Sequence, residues 1–141
     1  MASRLLSLRM DTDIVKQLEA RSQQSGQSLS RIVKTLVDEG LRMEAHPGVV
    51  FRSGPAGRRP GLAQGPDVWE VVQVVRNVSS RGDEAIQQTS ELTGLSREQV
   101  ATVVRYYADF RDELDAWIQR VEEEAARAEA AWRRERDLLE V

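Results

Sequence analysis

The first 43 residues constrain this chain most, because they predict one short strand, two short helices and nothing else. The apolar side chains of Leu6, Leu8 and Met10 alternate with the residues between them over positions 3–10, a period of two that is typical of a half-buried strand. A lone strand leaves both edges unpaired, and two helices of this length cannot enclose a core. Antiparallel pairing of two strands and interlocking of their helices removes both problems. The segment therefore predicts an obligate dimer.

Two helices are predicted after the strand. Asp11 is placed as the N-cap of the first, over about 12–24, and Gly26 suits the left-handed position that ends it. Ser28 or Ser30 is placed as the cap of the second, over about 29–43. Its apolar stripe has helical spacing and consists of Leu29, Ile32, Val33, Leu36, Val37 and Leu41.

Residues 46–66 contain all four prolines and no acidic residue. Either they are a linker, or they form a hairpin with strands near Val49–Phe51 and Arg59–Leu62. Residues 67–110 predict three helices that start at Asp67, at Gly82 and at a capping box from Ser96 to Gln99. The last two are spaced as in a helix-turn-helix. Predicted inward side chains are Val68, Val71, Val72, Val75, Ala85, Ile86, Leu92, Val100, Val103, Val104, Tyr107 and Phe110.

Residues 111–141 predict one long helix. Positions a and d of a heptad are occupied by Ile118, Val121, Ala125, Ala128, Trp132 and Leu139, with Glu135 as the one polar member. Two interpretations stay open: the helix packs against its own subunit or its dimer mate, or it binds a different protein. We therefore expect a mainly α chain of three parts, 1–45, 46–110 and 111–141.

Composition excludes several classes of protein. Apolar residues make up 40% and charged residues 30%, which is typical of a folded globular chain. Cysteine is absent and the one histidine, His46, is expected in a turn or at the start of a strand, so thiolate or imidazole metal sites and Ser/His catalysis are hard to build. The acidic residues form surface runs. We expect no cofactor, no enzyme activity and, since no signal or membrane segment is visible, a cytoplasmic location.

Charge is unevenly distributed along the chain. Residues 46–66 carry three arginines and no acid, whereas residues 111–141 carry six basic and ten acidic residues. A nucleic-acid binder needs positive charge only on the face that meets phosphate, so the net charge of −3 does not exclude one.

The first 40 or so residues resemble the ribbon-helix-helix (Arc/MetJ/CopG) family of transcriptional regulators. The resemblance lies in Leu-Ser-Leu-Arg-Met-Asp-Thr-Asp-Ile (6–14), Ser-Gly-Gln-Ser-Leu-Ser-Arg-Ile-Val (25–33) and Leu-Val-Asp-Glu-Gly-Leu (36–41). It implies an intertwined β-α-α dimer whose paired strands enter the major groove of DNA.

The resemblance also implies roles for single residues. Leu5, Ser7 and Arg9 would face the bases, and Arg9 could donate two hydrogen bonds to a guanine. Leu5 departs from the polar residue usual there. Backbone amides at Ser28 to Ser30, beside Arg31, would hold phosphate, with Arg4 and Lys34 as accessory contacts. The alternative is that Ser7 and Arg9 are only the solvated face of a dimer.

Residues 46–109 resemble a small winged-helix-like family of antitoxins paired with PIN-like nuclease toxins. The matching segments are His-Pro-Gly-Val-Val (46–50), Gly-Arg-Arg-Pro-Gly-Leu-Ala-Gln-Gly-Pro-Asp-Val-Trp-Glu-Val-Val (57–72), Leu-Thr-Gly-Leu-Ser-Arg-Glu-Gln-Val (92–100) and Tyr-Tyr-Ala-Asp (106–109). Gln64-Gly65-Pro66 stands where that family has Gly-Thr-Arg. Arg58 and Arg59 are accessory DNA candidates here, or else part of a solvated turn.

That resemblance implies that the C-terminal helix lies across a toxin. Trp117, Val121 and Trp132 would be apolar anchors, and Arg133, Arg134 and Arg136 would approach an acidic nuclease site. The charged residues of this helix could equally be a solvated face. The leading expectation is thus an operator-binding antitoxin that represses its own operon, and the alternatives are a stand-alone repressor or an oligomerisation scaffold.

Overall fold

The computed structural model describes residues 2–141 and divides the chain into two compact units, unit 1 (Met1–Glu44) and unit 2 (Ala45–Val141). The described chain is mainly helical, with one small antiparallel hairpin and a long last helix. No helix within it is both long and apolar enough to cross a membrane. The elements are α1 (Thr12–Ser25), α2 (Leu29–Ala45), β1 (Val49–Arg52), β2 (Arg59–Leu62), α3 (Val68–Asn77), α4 (Asp83–Thr93), α5 (Arg97–Asp109) and α6 (Arg111–Leu139).

Unit 1 contains the two predicted helices, α1 and α2. Gly26 ends α1 at a φ of +71°, in the left-handed region where a residue without a Cβ is favoured, and its N–H donates to the carbonyl of Ser22. Ser28 caps α2, since its Oγ accepts a hydrogen bond from the Arg31 N–H at 3.2 Å. Both helix boundaries lie within two residues of those predicted.

The strand predicted over residues 3–10 is not formed in the single chain. Residues 2–10 have neither helix nor strand and are exposed throughout. A ladder needs a second strand for its hydrogen bonds, and one chain offers none at this end. The intertwined ribbon therefore stays a prediction about two chains.

Unit 1 has no hydrophobic core of its own. Ile32 and Glu39 are its only buried residues among those described, and the core cluster of the chain consists of unit 2 residues. Large apolar side chains remain exposed along both the N-terminal segment and the helices: Leu5, Leu6, Leu8, Met10, Ile14, Leu29, Val37, Leu41 and Met43. A unit with this composition lacks the burial that stabilises an independent fold.

Unit 2 begins with the hairpin, which confirms the strand interpretation of residues 46–66 over the linker. Val49 pairs with Leu62 and Arg52 pairs with Arg59 in an antiparallel register. Gly54 and Gly57 exchange backbone hydrogen bonds across the turn, and Gly57 has a φ of +109°. Val49 and Leu62 are buried, so this side of the hairpin forms one wall of the core.

Helices α3, α5 and the first turns of α6 complete the core of unit 2. The buried members of the cluster are Val49, Leu62, Val68, Val71, Val72, Val103, Tyr106, Leu114 and Ile118. Leu114 and Ile118 belong to α6, so the structure joins the predicted middle and C-terminal parts into one unit. Beyond Val121 the helix is exposed, apart from the half-buried Ala131.

Two details of the α4–α5 prediction are wrong. The buried stripe of α5 follows Val100, Val103 and Tyr106, which places Tyr107 at its margin, half-buried. In α4 the buried side chain is Thr89, and Leu92 is exposed. Helical spacing alone fixes a stripe to within about one residue, and packing decides which neighbour is inside. The capping box of Ser96 and Gln99 is confirmed, with both hydrogen bonds present.

Candidate nucleic-acid interface

The side chains predicted to read bases lie in the segment before α1. Leu5, Ser7 and Arg9 are exposed, and so are Leu6, at 80%, and Leu8, at 60%, which are predicted to face the dimer core. In a single chain the residues of both predicted faces of this segment are therefore exposed. What it does show is a run of apolar side chains with no cover, next to an uncovered arginine.

The start of α2 offers backbone donors. A helix leaves its first four N–H groups without intrahelical acceptors. Ser28 Oγ accepts from the N–H of Arg31 and the Ser28 carbonyl accepts from that of Ile32, which leaves the N–H groups of Leu29 and Ser30. The cap takes the N–H of Arg31, which lies outside the predicted donors at 28–30, so the N–H groups of Leu29 and Ser30 keep their predicted availability.

Four cations of unit 1 are available for phosphate. Arg4, Arg9, Arg31 and Lys34 are all exposed, and within residues 2–141 none of them forms an ion pair. Arg31 and Lys34 lie one turn apart on α2, beside the free amides of Leu29 and Ser30. Oriented amides and exposed cations together suit an anion such as a phosphate.

The predicted accessory arginines of the hairpin have partners inside the chain. Arg59 Nε donates to Asp67 Oδ2, and Arg58 Nη1 donates to Ser53 Oγ at 2.8 Å. Arg59 is therefore held in place as part of unit 2, and its guanidinium is not a free arm.

Asp67 joins two arginines from the two strands. Arg52 Nη1 donates to Asp67 Oδ1 at 2.9 Å, while Arg59 and the indole N–H of Trp69 reach Oδ2. Asp67 occupies the N-cap position of α3 as predicted, but its side chain makes no cap hydrogen bond because both oxygens serve these donors. Asp11 at the start of α1 likewise makes no side-chain cap hydrogen bond. Sequence reasoning missed Arg52, since nothing local links residues 15 positions apart.

Two further polar contacts stabilise unit 2. His46 is buried, with Nε2 at 2.8 Å from Asp109 Oδ2 and its ring edge-on to Tyr106, and it lies in the short connection between α2 and β1. The hydroxyl of Tyr107 donates to Asp115 Oδ1 at 2.6 Å. Burial, this hydrogen bond and the Asp115 charge raise the pKa of Tyr107, against smaller opposing effects of Arg76 and Arg111.

The side chains predicted to anchor a toxin fall into two groups along α6. Trp117 and Val121 are half-buried, and the indole N–H of Trp117 is buried without an acceptor. Trp132 is 58% exposed, and the Arg136 guanidinium lies 5.8 Å from its ring centroid. Arg133 pairs with Glu129 at 2.6 Å, while Arg134 and Arg136 are exposed. The distal group is accessible and the proximal group belongs to the body of unit 2.

No group of three or more His, Cys, Asp or Glu side chains in residues 2–141 is arranged to hold a metal ion. The search of family models, curated proteins and solved structures returned no match to this chain.

Proposed function

We propose that this protein is a DNA-binding regulator that dimerises through a ribbon-helix-helix made by residues 3–43. One observation carries the proposal: unit 1 has two well-ended helices and an alternating apolar segment, yet it buries almost none of its apolar side chains. A second copy of the same unit supplies what is missing, an antiparallel strand partner and two more helices. The homodimer is thus the proposed folded state of unit 1.

The DNA contact is proposed for the other face of the same segment, which is formed by the residues that alternate with the apolar ones. Once Leu6, Leu8 and Met10 turn into the dimer, Leu5, Ser7 and Arg9 turn outward from a two-stranded ribbon, which fits the major groove. The free amides of Leu29 and Ser30, with Arg31 and Lys34, are the proposed phosphate contacts on either side. The ligand is an operator in double-stranded DNA.

Arg9→Ala tests the DNA contact. Each dimer presents this arginine twice, and a good bidentate contact to guanine is worth about 1–3 kcal/mol, so affinity for duplexes selected from a random pool should fall at least about 30-fold. Lys34→Ala should instead weaken binding to all sequences and lower the salt dependence, as expected of a phosphate contact. Fluorescence anisotropy at several salt concentrations measures both.

Arg21→Ala is the matched control, because it removes one exposed cation of α1 without touching the ribbon. Its effect on affinity should stay within about twofold. If Arg9→Ala and Arg21→Ala have the same affinity for DNA, or if the wild-type chain binds no duplex, unit 1 is an oligomerisation scaffold and the DNA proposal is wrong.

A second proposal concerns α6: the chain is an antitoxin that represses its own operon and holds a PIN-like nuclease with this helix. It is supported by the accessible aromatic anchor at Trp132 and the adjacent Arg133, Arg134 and Arg136 on a helix that projects beyond the core. Aromatic residues and arginines dominate the energetics of protein interfaces. The alternative is a stand-alone repressor, whose α6 meets no nuclease.

Trp132→Ala tests this second proposal. Because Leu114 and Ile118 belong to the core, removal of residues 111–141 would unfold unit 2, and a point substitution is the cleaner choice. Truncation of a central aromatic anchor costs at least about 2 kcal/mol, so affinity for the co-purified nuclease should fall about 30-fold or more while DNA binding is unchanged. Calorimetry with the purified nuclease measures it, with Glu123→Ala as control. Native protein recovered from its source cells without a nuclease would favour the stand-alone repressor.

A further inference from the structure

The distal half of α6, residues 122–139, is a helix with no intramolecular support. Its 18 residues extend about 27 Å at 1.5 Å per residue, and all are exposed except the half-buried Ala131. Trp132, Leu138 and Leu139 lie among these exposed residues. An isolated helix of this length is marginal in water, so an apolar stripe along it indicates a packing partner.

The heptad positions of this segment define the shape of the partner. Small residues, Ala125 and Ala128, occupy a and d in its first half, and the large Trp132 and Leu139 occupy a in its second half. A helix that runs in the opposite direction with the same sequence would set large residues against small ones. An antiparallel register in which the position numbers of facing a and d residues sum to 260 places Trp132 against the partner's Ala128, and Ala125 against the partner's Glu135.

The flanking charges agree with the same register. Position e is Glu122 at the start of the segment and Arg136 near its end, and in an antiparallel pair e lies beside e of the other helix. Glu122 would then face the partner's Arg136, and the two-fold axis repeats this opposite-charge contact. Within the described chain Glu122 forms no ion pair, so its carboxylate is available for this contact. The remaining e residue, Glu129, meets its symmetry mate at the axis, where the bond to Arg133 offsets its charge.

A parallel pair lacks both advantages. In its core it would stack Trp132 on the partner's Trp132 and set Glu135 against the partner's Glu135. At its flank it would place Glu124, at position g, next to the partner's Glu129 at position e. Like charges in these positions oppose pairing. The sequence pattern therefore selects one direction.

We propose that the distal half of α6 pairs antiparallel with the same segment of a second copy of this chain. The inference is independent of the ribbon at the other end of the chain, and it adds a second self-contact to the protein. Trp132 lies in this contact, so a nuclease bound through Trp132 and the α6 self-pair would exclude each other.

Charge exchange on the full-length protein tests the register. Glu122→Arg alone, or Arg136→Glu alone, sets like charges together twice per pair and should weaken the α6-dependent association about tenfold in sedimentation equilibrium. The double variant restores opposite charges and should return to within about threefold of wild type. Glu123→Arg changes the same charge at position f, away from the contact, and should have little effect.

Disulfide trapping tests the direction, and the natural chain has no cysteine to interfere. Ala125→Cys and Glu135→Cys chains carrying different tags are mixed and oxidised with diamide. An antiparallel pair predicts the mixed disulfide between positions 125 and 135, whereas a parallel pair predicts 125–125 and 135–135 products. The proposal would be overturned by disulfides between identical positions, or by a double charge variant that associates as weakly as the single variants. It would also be overturned if none of the α6 variants changed the association. In the last case the stripe faces a different protein.

Discussion

Leu8→Glu is expected to abolish dimerisation and, with it, DNA binding. In the proposed ribbon Leu8 faces the dimer core, so the substitution buries one carboxylate in each strand, close to its symmetry mate. A penalty of at least ~4 kcal/mol per dimer corresponds to a dissociation constant about 1000-fold weaker. In sedimentation experiments at micromolar concentration the contribution of unit 1 to association should disappear, and α1 and α2 should lose helicity by circular dichroism.

Leu5→Glu is the matched control for this prediction. It introduces the same charge in the same segment, but Leu5 lies on the other face of the strand from Leu8 and points outward in the ribbon. This variant should dimerise normally and lose only DNA affinity, because its carboxylates meet phosphate and base edges. Equal dimerisation of the Leu8→Glu and wild-type chains would contradict the ribbon itself.

Asp67→Ala is expected to cause the largest loss of stability in unit 2. The side chain of Asp67 is 11% exposed, and its removal leaves the partly buried guanidinium groups of Arg52 and Arg59 without their anion. Loss of one partner from such a cluster costs about 3 kcal/mol when the arginines keep some contact with water. For a unit of this size the midpoint of thermal unfolding should fall by about 12–24 °C.

Asp67→Asn separates charge from shape at the same position. The amide keeps one acceptor oxygen for an arginine, so the Asp67→Asn variant should lose less stability than the alanine variant. Glu70→Ala, which removes an exposed acid from the first turn of α3, should change the stability by no more than about 0.5 kcal/mol. If Asp67→Ala unfolds with the same midpoint as Glu70→Ala, the two arginines do not depend on this carboxylate.

The local elements were accessible from the sequence because each has a local cause. Gly26 and Gly94 end α1 and α4 with positive φ, and Ser28 and Ser96 cap α2 and α5 through their own side chains. The hairpin was one of two interpretations of the glycine- and proline-rich segment, and the pairing of its strands in the structure decides for it. These signals act over a few residues, so reading them required no knowledge of the fold.

Contacts between distant residues were not accessible in this way. Asp67 was expected to cap α3, yet in the fold two arginines of the hairpin lie close enough to take both oxygens. Helical spacing did not distinguish Tyr106 from Tyr107, and the heptad of α6 did not reveal that Leu114 and Ile118 join the core while Trp132 stays outside. The candidate DNA residues were named from alternation and from the predicted cap of α2, and the structure decides that this cap is Ser28, which takes the amide of Arg31.

The sequence by itself determined where the helices begin, and that residues 3–43 carry more apolar surface than they can bury alone, while it left residues 46–66 open between a hairpin and a linker. The tertiary structure decided which charged groups form ion pairs inside unit 2 and at which residue α6 leaves the core of that unit. The physical reason is range: caps, turns and side-chain periodicity depend on neighbours in the chain, whereas burial and ion pairing depend on which distant surfaces meet.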